Sequence, residues 1–509
     1  MNNTLPTALH KALFHWAQSQ PEQPFLLAEP VCSYQQAANY VSALATVLAP
    51  ANRTAIWLDK NNHYVLSILA VLSADSAYIP IDAKQPTNRV ELILADGQVD
   101  TLLVDIAHLQ QAQAALQAFP HIKLITLVDI YDTTSELTQF VWPEHINTPH
   151  CAPISHSKKD DLAAILFTSG STGRPKGVQL SLNNLQHFID WTTRSLSLGK
   201  QDRFLNIASF NFDISTFDLF SSLSVGGSLY VADDDAAKQP LNLATILKEQ
   251  KISIMYTVPS LLSLMNRIGL WEQAAPLSLT HVIFAGEVMP KPCLQALASS
   301  IKNCTFYNFY GPTETNVCLA YQVTDKDIIS DAPLPIGSAI GDAQVWMLDE
   351  NHQQVTLLEG ASGELVVKGS CVTQGYCHDA QQQTSHQQHI HHTGDIVQFS
   401  NGVYHFLGRR DRMIKAAGYR IELAEIEAKL IQHPDIKEVA VRFCAESTKI
   451  IVTYSPQDSE NKPGSLALKA YCAEHLPVYM IPHKFKALAQ LPKNANGKID
   501  YPEIAKVDS

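Results

Sequence analysis

A glycine- and hydroxyl-rich segment from Thr168 to Gly177 carries the residues best suited to hold an anion. It follows the apolar run Ala164–Phe167 and reads Thr-Ser-Gly-Ser-Thr-Gly-Arg-Pro-Lys-Gly. Glycines let backbone N–H groups crowd around an anion, hydroxyls add donors, and Lys176 adds a positive charge. The segment is not a Walker loop, because that motif has Ser or Thr after its lysine, whereas Gly177 follows Lys176 here. We therefore predict an anion-binding loop rather than a flexible turn.

This loop is one of a series of segments that resemble the motifs of AMP-forming adenylating enzymes. That superfamily includes acyl-CoA synthetases, luciferases and the adenylation domains of nonribosomal peptide synthesis. One such motif would be weak evidence, but the series occurs in the family's order and covers nearly the whole chain. The segments are Leu69–Arg89, Thr168–Gly177, Asn308–Thr315, Thr393–Asp395, Gly408–Glu422 and Asn496–Asp500.

The resemblance implies a ligase that uses ATP and Mg²⁺. In its first reaction, a substrate carboxylate attacks the α-phosphate of ATP and expels pyrophosphate. Because two anions must meet, the site has to supply positive charge and hydrogen-bond donors. By the same resemblance, the residues that hold the β- and γ-phosphates are Thr168, Ser169, Gly170, Ser171, Thr172, Gly173 and Lys176.

The segment around Tyr310 resembles the part of the family that binds adenine and magnesium. Tyr310 would offer its ring to adenine, and Asn308 with the backbone of Phe309 and Gly311 would bond the adenine edge. Aromatic packing in the core is the plainer interpretation of Tyr310.

Four further residues complete the nucleotide site that the resemblance implies. Thr313 would reach the α-phosphate, and Glu314 would bind Mg²⁺, which prefers hard oxygen ligands. Asp395 would accept hydrogen bonds from both ribose hydroxyls, and Arg409 would contact ribose or phosphate.

Lys498 matches the catalytic lysine of the family, in the sequence Asn-Gly-Lys-Ile-Asp. An ammonium between the attacking carboxylate and the α-phosphate would stabilise the crowded transition state. The family implies that the small domain carrying this lysine turns about a hinge at Asp411. In a second orientation, the region of Gly418 would replace Lys498 and open a path for a thiol.

The segment Asn211–Ser215 resembles the branch of the family that activates amino acids. Asp213 would pair with the substrate's α-ammonium, which penalises acids without an amine. The other pocket positions are apolar or aromatic, which suits a small or cyclic apolar side chain and resembles the pocket of stand-alone L-proline-activating enzymes. The predicted pocket is Asp213, Ile214, Phe217, Tyr256, Ile283, Ala285, Gly286, Phe309, Val317 and Cys318.

Two alternatives remain open for the substrate. D-alanine:carrier-protein ligases are similar in length and motif order, although they typically have a cysteine at the position of Ala285. An acyl- or aryl-CoA synthetase is the other alternative, and Asp213 argues against it. A carboxylate at Asp213 can hold either enantiomer's amine, so the stereochemistry of the substrate is left open.

The acceptor is expected to be a separate peptidyl carrier protein with a phosphopantetheine arm, in a pathway of nonribosomal peptides or other secondary metabolites. The chain continues only about ten residues beyond Lys498 and shows no carrier segment, so the thiol would come from another chain. Carrier proteins are usually acidic, so we expect a local basic patch.

The elements that must position these residues follow an α/β pattern. Short apolar runs alternate with helical patterns, which indicates largely parallel sheets, and Asn401-Gly402 between two alternating runs predicts a hairpin. A compact α+β pattern follows the charged stretch Gly408–Arg412. We predict a large multi-sheet α/β domain over residues 1–410 and a small α+β lid domain over 411–509.

Composition limits the remaining possibilities. The chain has 509 residues, with 37 Lys and Arg against 49 Asp and Glu, a net charge of −12 that argues against nucleic-acid binding. The start has no basic region followed by an unbroken apolar stretch, and no segment looks membrane-spanning. Nine scattered cysteines favour reduced thiols, so we expect a cytoplasmic protein without a membrane partner.

A histidine cluster precedes the ribose motif. It comprises His386, His389, His391 and His392, and His392 stands where the family often has Arg or Lys. A solvated loop is the preferred interpretation over a metal site.

Overall fold

The computed structural model describes residues 9–130, 138–153, 155–170, 174–271, 277–377, 385–458, 462–493 and 499–508. They form two compact units. The first comprises the described residues within Met1–Ala83, Leu94–Leu166 and Gly177–Arg410, and the second those within Lys84–Ile93, Phe167–Lys176 and Asp411–Ser509. The sequence prediction has one boundary, after residue 410. The structure adds two short internal segments to the second unit, and no local pattern indicated them.

The first unit is built on three sheets. The eight-stranded sheet contains, in spatial order, β19 (Gly375–Tyr376), β9 (Lys176–Ser181), β8 (Leu162–Thr168), β4 (Ala77–Ile81), β3 (Arg53–Trp57), β5 (Thr101–Asp105), β6 (Lys123–Val128) and β7 (Thr138–Val141). The strands from β4 to β7 in this order are parallel, and β19 pairs antiparallel with β9.

The nine-stranded sheet has a parallel centre with antiparallel strands at both edges. It contains, in spatial order, β16 (Ser338–Ala339), β15 (Leu319–Gln322), β14 (Thr305–Tyr310), β13 (His281–Ala285), β12 (Ile254–Thr257), β10 (Arg203–Asn206), β11 (Ser228–Val231), β1 (Pro24–Leu26) and β2 (Cys32–Ser33). The four-stranded antiparallel sheet contains β17 (Gln344–Leu348), β18 (Ser362–Lys368), β20 (Ile390–Ser400) and β21 (Val403–Arg409).

Helices flank these sheets and begin where the sequence supplies caps. Ser33 and Gln36 form a capping box at the second helix, and Ser181 and Asn184 form one at the seventh. The helices up to Arg410 are α1 (Lys11–Ser19), α2 (Tyr34–Leu48), α3 (Asn62–Ser73), α4 (Thr87–Asp96), α5 (Leu109–Leu116), α6 (Trp142–Ile146), α7 (Leu182–Ser195), α8 (Ile214–Val225), α9 (Asp234–Lys238), α10 (Pro240–Glu249), α11 (Pro259–Arg267), α12 (Lys291–Ser300) and α13 (Asp325–Ile329).

The C-terminal part of the second unit combines small sheets and helices around its own core. Its strands are β22 (Met413–Ala416) with β23 (Tyr419–Glu422), and β24 (Ile436–Cys444), β25 (Lys449–Pro456) and β26 (Lys484–Ala487). Its helices are α14 (Leu423–Leu430), α15 (Ser465–His475) and α16 (Tyr501–Asp508). The predicted α/β fold with a smaller α+β C-terminal part is confirmed. Among the described helices, none combines the length and apolarity needed to cross a membrane.

The centre of the nine-stranded sheet is buried on both faces, as parallel strands usually are. Alternate residues of β12, β13 and β14 point into two different cores. Tyr256, Ile283 and Phe309 join the core that contains α7 and α8, whereas Met255 and Val282 join the other. This alternation decides which side chains can line a pocket beside α8.

Candidate active site

The anion-binding loop lies in the second unit, and its described part contacts β23 and α14. Ser169 Oγ donates to Arg420 O at 2.7 Å and accepts from Glu422 N at 3.1 Å. Gly170 N donates to Glu425 Oε2 at 3.0 Å. One donor that the sequence assigned to phosphate therefore holds a carboxylate of the chain itself.

The loop backbone turns too tightly at Gly170 for any other residue. A Cβ there would lie 2.0 Å from Arg174 O, so a side chain would force the turn apart. Thr168 Oγ1 donates to Lys176 O at 3.5 Å, which joins the two ends of the loop. The predicted phosphate ligands that lie outside the described residues are Ser171, Thr172 and Gly173.

The Glu425 carboxylate forms an ion pair with a buried arginine. Arg89 donates to Glu425 Oε1 at 2.5 Å, and the two side chains are 4% and 1% exposed. A phosphate oxygen could accept from Gly170 N only after Glu425 has left it. Arg89 and Glu425 are 336 positions apart, so no spacing in the sequence indicates that they pair.

In the first unit, two of the predicted nucleotide-binding residues donate hydrogen bonds to Asp395. Tyr310 donates its hydroxyl to Asp395 Oδ2, and Arg409 donates to Asp395 Oδ1 and to Thr393 O. Asp395 is 1% exposed and lies opposite Arg409 in the register of β20 and β21. Burial, and next the Asp395 charge, raise the pKa of Tyr310. The structure thus brings a ring, a carboxylate and a guanidinium together.

The segment around Tyr310 is fixed by its backbone and by Asn308. The Asn308 amide donates to Pro335 O at 2.7 Å, so this group holds a neighbouring loop. A Cβ at Gly311 would lie 1.7 Å from Asn316 O, which excludes other residues there. A single 3₁₀ turn, Thr313–Thr315, then presents Thr313 and Glu314.

Glu314 is fully buried and is held by a residue that sequence reasoning missed. Its Oε1 accepts from the hydroxyl of Tyr376 at 2.5 Å, and its carbonyl accepts from Thr373 N at 2.7 Å. Tyr376 lies in β19, and Thr373 lies in the segment that leads into this strand. The tyrosine lies in no motif quoted from the sequence, and only the strand pairing brings it here.

Asp213 lies at the start of α8, where an aspartate often caps the helix. Its side chain makes no capping hydrogen bond, although its carbonyl accepts from Thr216 N at 3.0 Å and Thr216 Oγ1 at 2.6 Å. The Asp213 charge is close enough to raise the pKa of Tyr256, after burial, which is the larger cause. The Asp213 carboxylate therefore lies close enough to Tyr256, a predicted pocket residue, for its charge to act on that ring.

Aromatic rings form the wall beyond Asp213. Phe217 and Tyr256 meet edge to face with ring centroids 5.4 Å apart, and Tyr256 meets Phe309 in the same way at 5.7 Å. Ala285 lies beside Phe309 in the sheet register, and Gly286 follows with φ +86°, where a Cβ would lie 3.9 Å from Val258 Cγ1, an ordinary van der Waals distance. Two other predicted pocket residues, Ile283 and Val317, belong to the same buried core, and Ile214 packs against it.

Cys318 is grouped differently from the other predicted pocket residues. Its side chain packs with Tyr310, Cys371 and Met347 in a separate core, and its thiol lies 3.6 Å from Tyr310 O. The neighbouring Val317 faces the aromatic wall instead. Successive side chains in an extended segment point to opposite sides, which separates the two.

A buried lysine holds the segment that leads to Asp213. Lys60 Nζ donates to Ile207 O and Ala232 O at 2.7 Å each and to Asn206 O at 3.3 Å. Burial lowers the pKa of Lys60 to about 7. The ammonium joins the carboxyl ends of β10 and β11, and the chain runs from β10 into α8. Sequence reasoning gave no signal for this role.

Lys498 lies outside the described residues, as does the rest of 494–498. On either side of this segment, Lys493 and Ile499 form an antiparallel bridge. Lys493 also pairs with Glu438 at 2.6 Å, and Asp411, the predicted hinge, accepts from Met413 N at 3.3 Å.

The histidine cluster is only partly solvated. His386 and His391 are 2% and 7% exposed, and their rings stack with 5.4 Å between centroids. The expected solvated loop is therefore wrong for these two, because the strand β20 and Tyr376 bury them. His389 and His392 are exposed.

Comparisons with known proteins agree with this architecture. The family described as "AMP-binding enzyme" matches residues 13–377, and "AMP-binding enzyme C-terminal domain" matches residues 425–498. An L-proline--[L-prolyl-carrier protein] ligase of Streptomyces coelicolor is 38% identical over 503 residues, which cover 95% of this chain and 93% of that protein. A D-alanine--D-alanyl carrier protein ligase of Bacillus velezensis is 31% identical over 87% of this chain and 86% of its own length.

A solved structure shares the fold over the whole chain. The Vibrio cholerae adenylation domain AlmE, in complex with glycyl-adenosine-5'-phosphate, superposes with a TM-score of 0.84 at 23% identity, and covers 100% of this chain and 99% of its own. Because the family pattern matches well over half of the sequence, this chain belongs to the AMP-binding enzyme family.

Proposed function

We propose that this enzyme activates L-proline with ATP to prolyl-AMP, releases pyrophosphate, and transfers the prolyl group to the phosphopantetheine thiol of a separate carrier protein. The observation that carries the proposal is the Asp213 carboxylate. It lies at the start of α8 without capping the helix, beside a wall of apolar and aromatic side chains. The name of the Streptomyces coelicolor relative supports the same substrate and acceptor.

The chemistry of the pocket suits a zwitterion with an apolar ring. The ammonium of the amino acid would pair with Asp213, because a charge in a largely buried site is costly unless it is paired. The Phe217, Tyr256 and Phe309 rings would pack against the methylene groups of proline. An acid without an amine would leave the carboxylate unpaired and bind poorly.

The nucleotide would be held in the first unit by the group around Asp395. A carboxylate can accept from two ribose hydroxyls, and Tyr310 and Arg409 fix its orientation. Thr313 would lie toward the α-phosphate. The hydroxyl-rich loop would take the β- and γ-phosphates once Glu425 releases Gly170 N.

Glu314 fits the magnesium site that this reaction requires. It offers a hard carboxylate oxygen in a fully buried position, the ligand type that Mg²⁺ prefers. When bound, the cation supplies positive charge that offsets the charge of the phosphates.

Lys498 would provide the second cation, on the α-phosphate side. It belongs to the second unit, so the reaction needs the C-terminal lid domain, residues 411–509, to move relative to residues 1–410 about Asp411. We propose one orientation for adenylation and another for attack by the carrier thiol.

We further propose that the reaction takes place in the cytoplasm, in nonribosomal peptide or other secondary-metabolite synthesis. Nine scattered cysteines without a CxxC pair support this proposal, because such usage is typical of a reducing compartment.

Amino-acid-dependent exchange of pyrophosphate into ATP tests this function. The substrates are L-proline, D-alanine and cyclopentanecarboxylate, which has the ring of proline without the amine, each with and without coenzyme A. We expect exchange with L-proline to exceed the others at least tenfold. D-alanine equal to or above L-proline would favour the D-alanine ligase, and coenzyme A-dependent turnover of cyclopentanecarboxylate would favour an acyl-CoA synthetase.

A further inference from the structure

Tyr376 makes a buried contact with the carboxylate proposed to bind Mg²⁺. Its hydroxyl donates to Glu314 Oε1 at 2.5 Å, and the two residues are 4% and 0% exposed. A phenol has one hydrogen to give, and here it is given to an acceptor in the site.

The fold brings the two residues together through an edge strand. β19 joins the eight-stranded sheet by pairing Gly375 with Gln179 and Tyr376 with Val178. Thr373, just before it, donates its backbone N–H to Glu314 O at 2.7 Å. The Thr373 hydrogen bond positions the backbone of Glu314, and the Tyr376 hydrogen bond orients its side chain.

Packing fixes the direction of the Tyr376 ring. His386 meets it edge to face, with centroids 5.4 Å apart and planes at 74°. His386 in turn stacks on His391, and His386 Nε2 lies 3.1 Å from His391 Nδ1. Because this stack is buried, the hydroxyl has little freedom to leave the carboxylate.

We propose that Tyr376 is a positioning residue that sets the affinity of the enzyme for the divalent cation through Glu314. The inference rests on the proposed function. An outer partner that orients a metal-binding carboxylate typically contributes 10–100-fold to metal affinity. The hydroxyl occupies one oxygen of Glu314 and fixes the plane in which the carboxylate meets the cation.

The test compares Tyr376→Phe with Tyr34→Phe and Glu314→Gln. Tyr34 is a matched control, because it is fully buried and its hydroxyl also donates one hydrogen bond, to Gly227 O at 2.7 Å. Binding of Mn²⁺ to the enzyme in the presence of ATP is measured by the EPR signal of the free ion, relative to the same ATP without enzyme. The Mg²⁺ concentration for half-maximal proline-dependent exchange is measured in parallel.

We expect Tyr376→Phe to raise the Mn²⁺ dissociation constant and the half-maximal Mg²⁺ concentration about 10–100-fold. The maximal rate at saturating Mg²⁺ should recover most of the wild-type value, and Tyr34→Phe should change neither constant. The inference would be overturned if both constants of Tyr376→Phe stayed within twofold of wild type, or if Tyr34→Phe changed them equally. In either case, proline-dependent exchange by the wild-type enzyme would still uphold the proposed function. A wild-type enzyme that binds no Mn²⁺ with ATP would overturn both.

Discussion

In the proposed function, Asp213 is the residue on which the choice of substrate depends most directly. Asp213 is partly buried, its side chain makes no capping hydrogen bond to α8, and its charge acts on Tyr256. Such a group is costly in an apolar surrounding unless a cation faces it. In the proposed function the ammonium of the amino acid is that cation, and the preference for an amine would then depend largely on this one side chain.

Replacing Asp213 with Asn keeps the shape of the side chain and removes the charge. We expect the KM for L-proline in the exchange assay to rise about 30-fold, because losing one partner of a buried charge pair costs about 2 kcal/mol or more. The KM for ATP should stay within about twofold. A proline KM unchanged in this variant would refute the pairing with the substrate ammonium.

At the scale of elements, the carboxyl ends of β3 and β5 are joined by an ion pair. His108 Nδ1 lies 2.6 Å from Asp105 Oδ1, and Nε2 lies 3.2 Å from Ala83 O and 4.0 Å from Asp59 Oδ1. All these oxygens only accept, so the doubly protonated ring, an imidazolium, is the form of His108 that satisfies both hydrogen bonds. Burial alone would lower the pKa of His108, but the Asp105 hydrogen bond and charge raise it above its ordinary value.

The resulting pH dependence has a definite sign. A pKa raised by folding gives stability that is complete below the unfolded value of 6.5 and is lost as pH rises through the folded value. We expect His108→Phe to lower Tm more at pH 5.5 than at pH 8.5, measured by thermal unfolding across that range. His121→Phe, at an exposed histidine, is the control. A difference that grows toward pH 8.5 would contradict the imidazolium assignment.

Within the second unit, the pair of Arg89 and Glu425 joins the start of α4, the anion-binding loop and α14. We expect Glu425→Ala to destabilise the unit by about 3–5 kcal/mol, because it leaves a buried guanidinium without its partner. The double variant Arg89→Met/Glu425→Leu should be less destabilised than Glu425→Ala alone. Urea unfolding followed by circular dichroism measures these variants together with the single variants Arg89→Met and Glu425→Leu. A double variant that loses the sum of those two single effects would show that the pair is not coupled.

At the scale of the whole molecule, local sequence patterns predict individual turns, helices and strands. They do not predict the contacts between segments that are distant in the sequence. Asn401 and Gly402 have φ of 52° and 80°, as the predicted hairpin turn requires, and the pair Ser400 and Val403 closes it. The helix Leu423–Leu430 lies in the stretch after Arg412 for which an α+β pattern is predicted. By contrast, the contacts of Tyr376 and Glu425 depend on long-range pairing that no periodicity encodes.

The family motifs located the candidate site, but they did not fix which side chains share a core. Cys318 follows Val317 in the sequence and still packs elsewhere, because adjacent side chains of an extended segment diverge. The phosphate loop was also predicted without Glu425, whose position depends on how β23 and α14 fold against it.

The final prediction concerns the different residues that the two parts of the chain would contribute to adenylation. Asp213, Tyr310 and Asp395 belong to the first unit, and Lys498 belongs to the second, so adenylation would need both. We expect Lys498→Ala to reduce proline-dependent exchange at least about 100-fold, as the loss of one transition-state donor does, while ATP binding by calorimetry stays within a few fold.

Transfer from supplied prolyl-AMP to the carrier should survive in Lys498→Ala, because the lysine is proposed to act only while the phosphate–oxygen bond to pyrophosphate breaks. Lys493→Ala is the matched control, since Lys493 lies five residues earlier in the same tail, pairs with Glu438 and is 38% exposed. Exchange within tenfold of wild type in Lys498→Ala would remove the lysine from the reaction. An equal loss in both half-reactions would point to a damaged lid domain instead, because a purely electrostatic role at the α-phosphate cannot affect the thiol step.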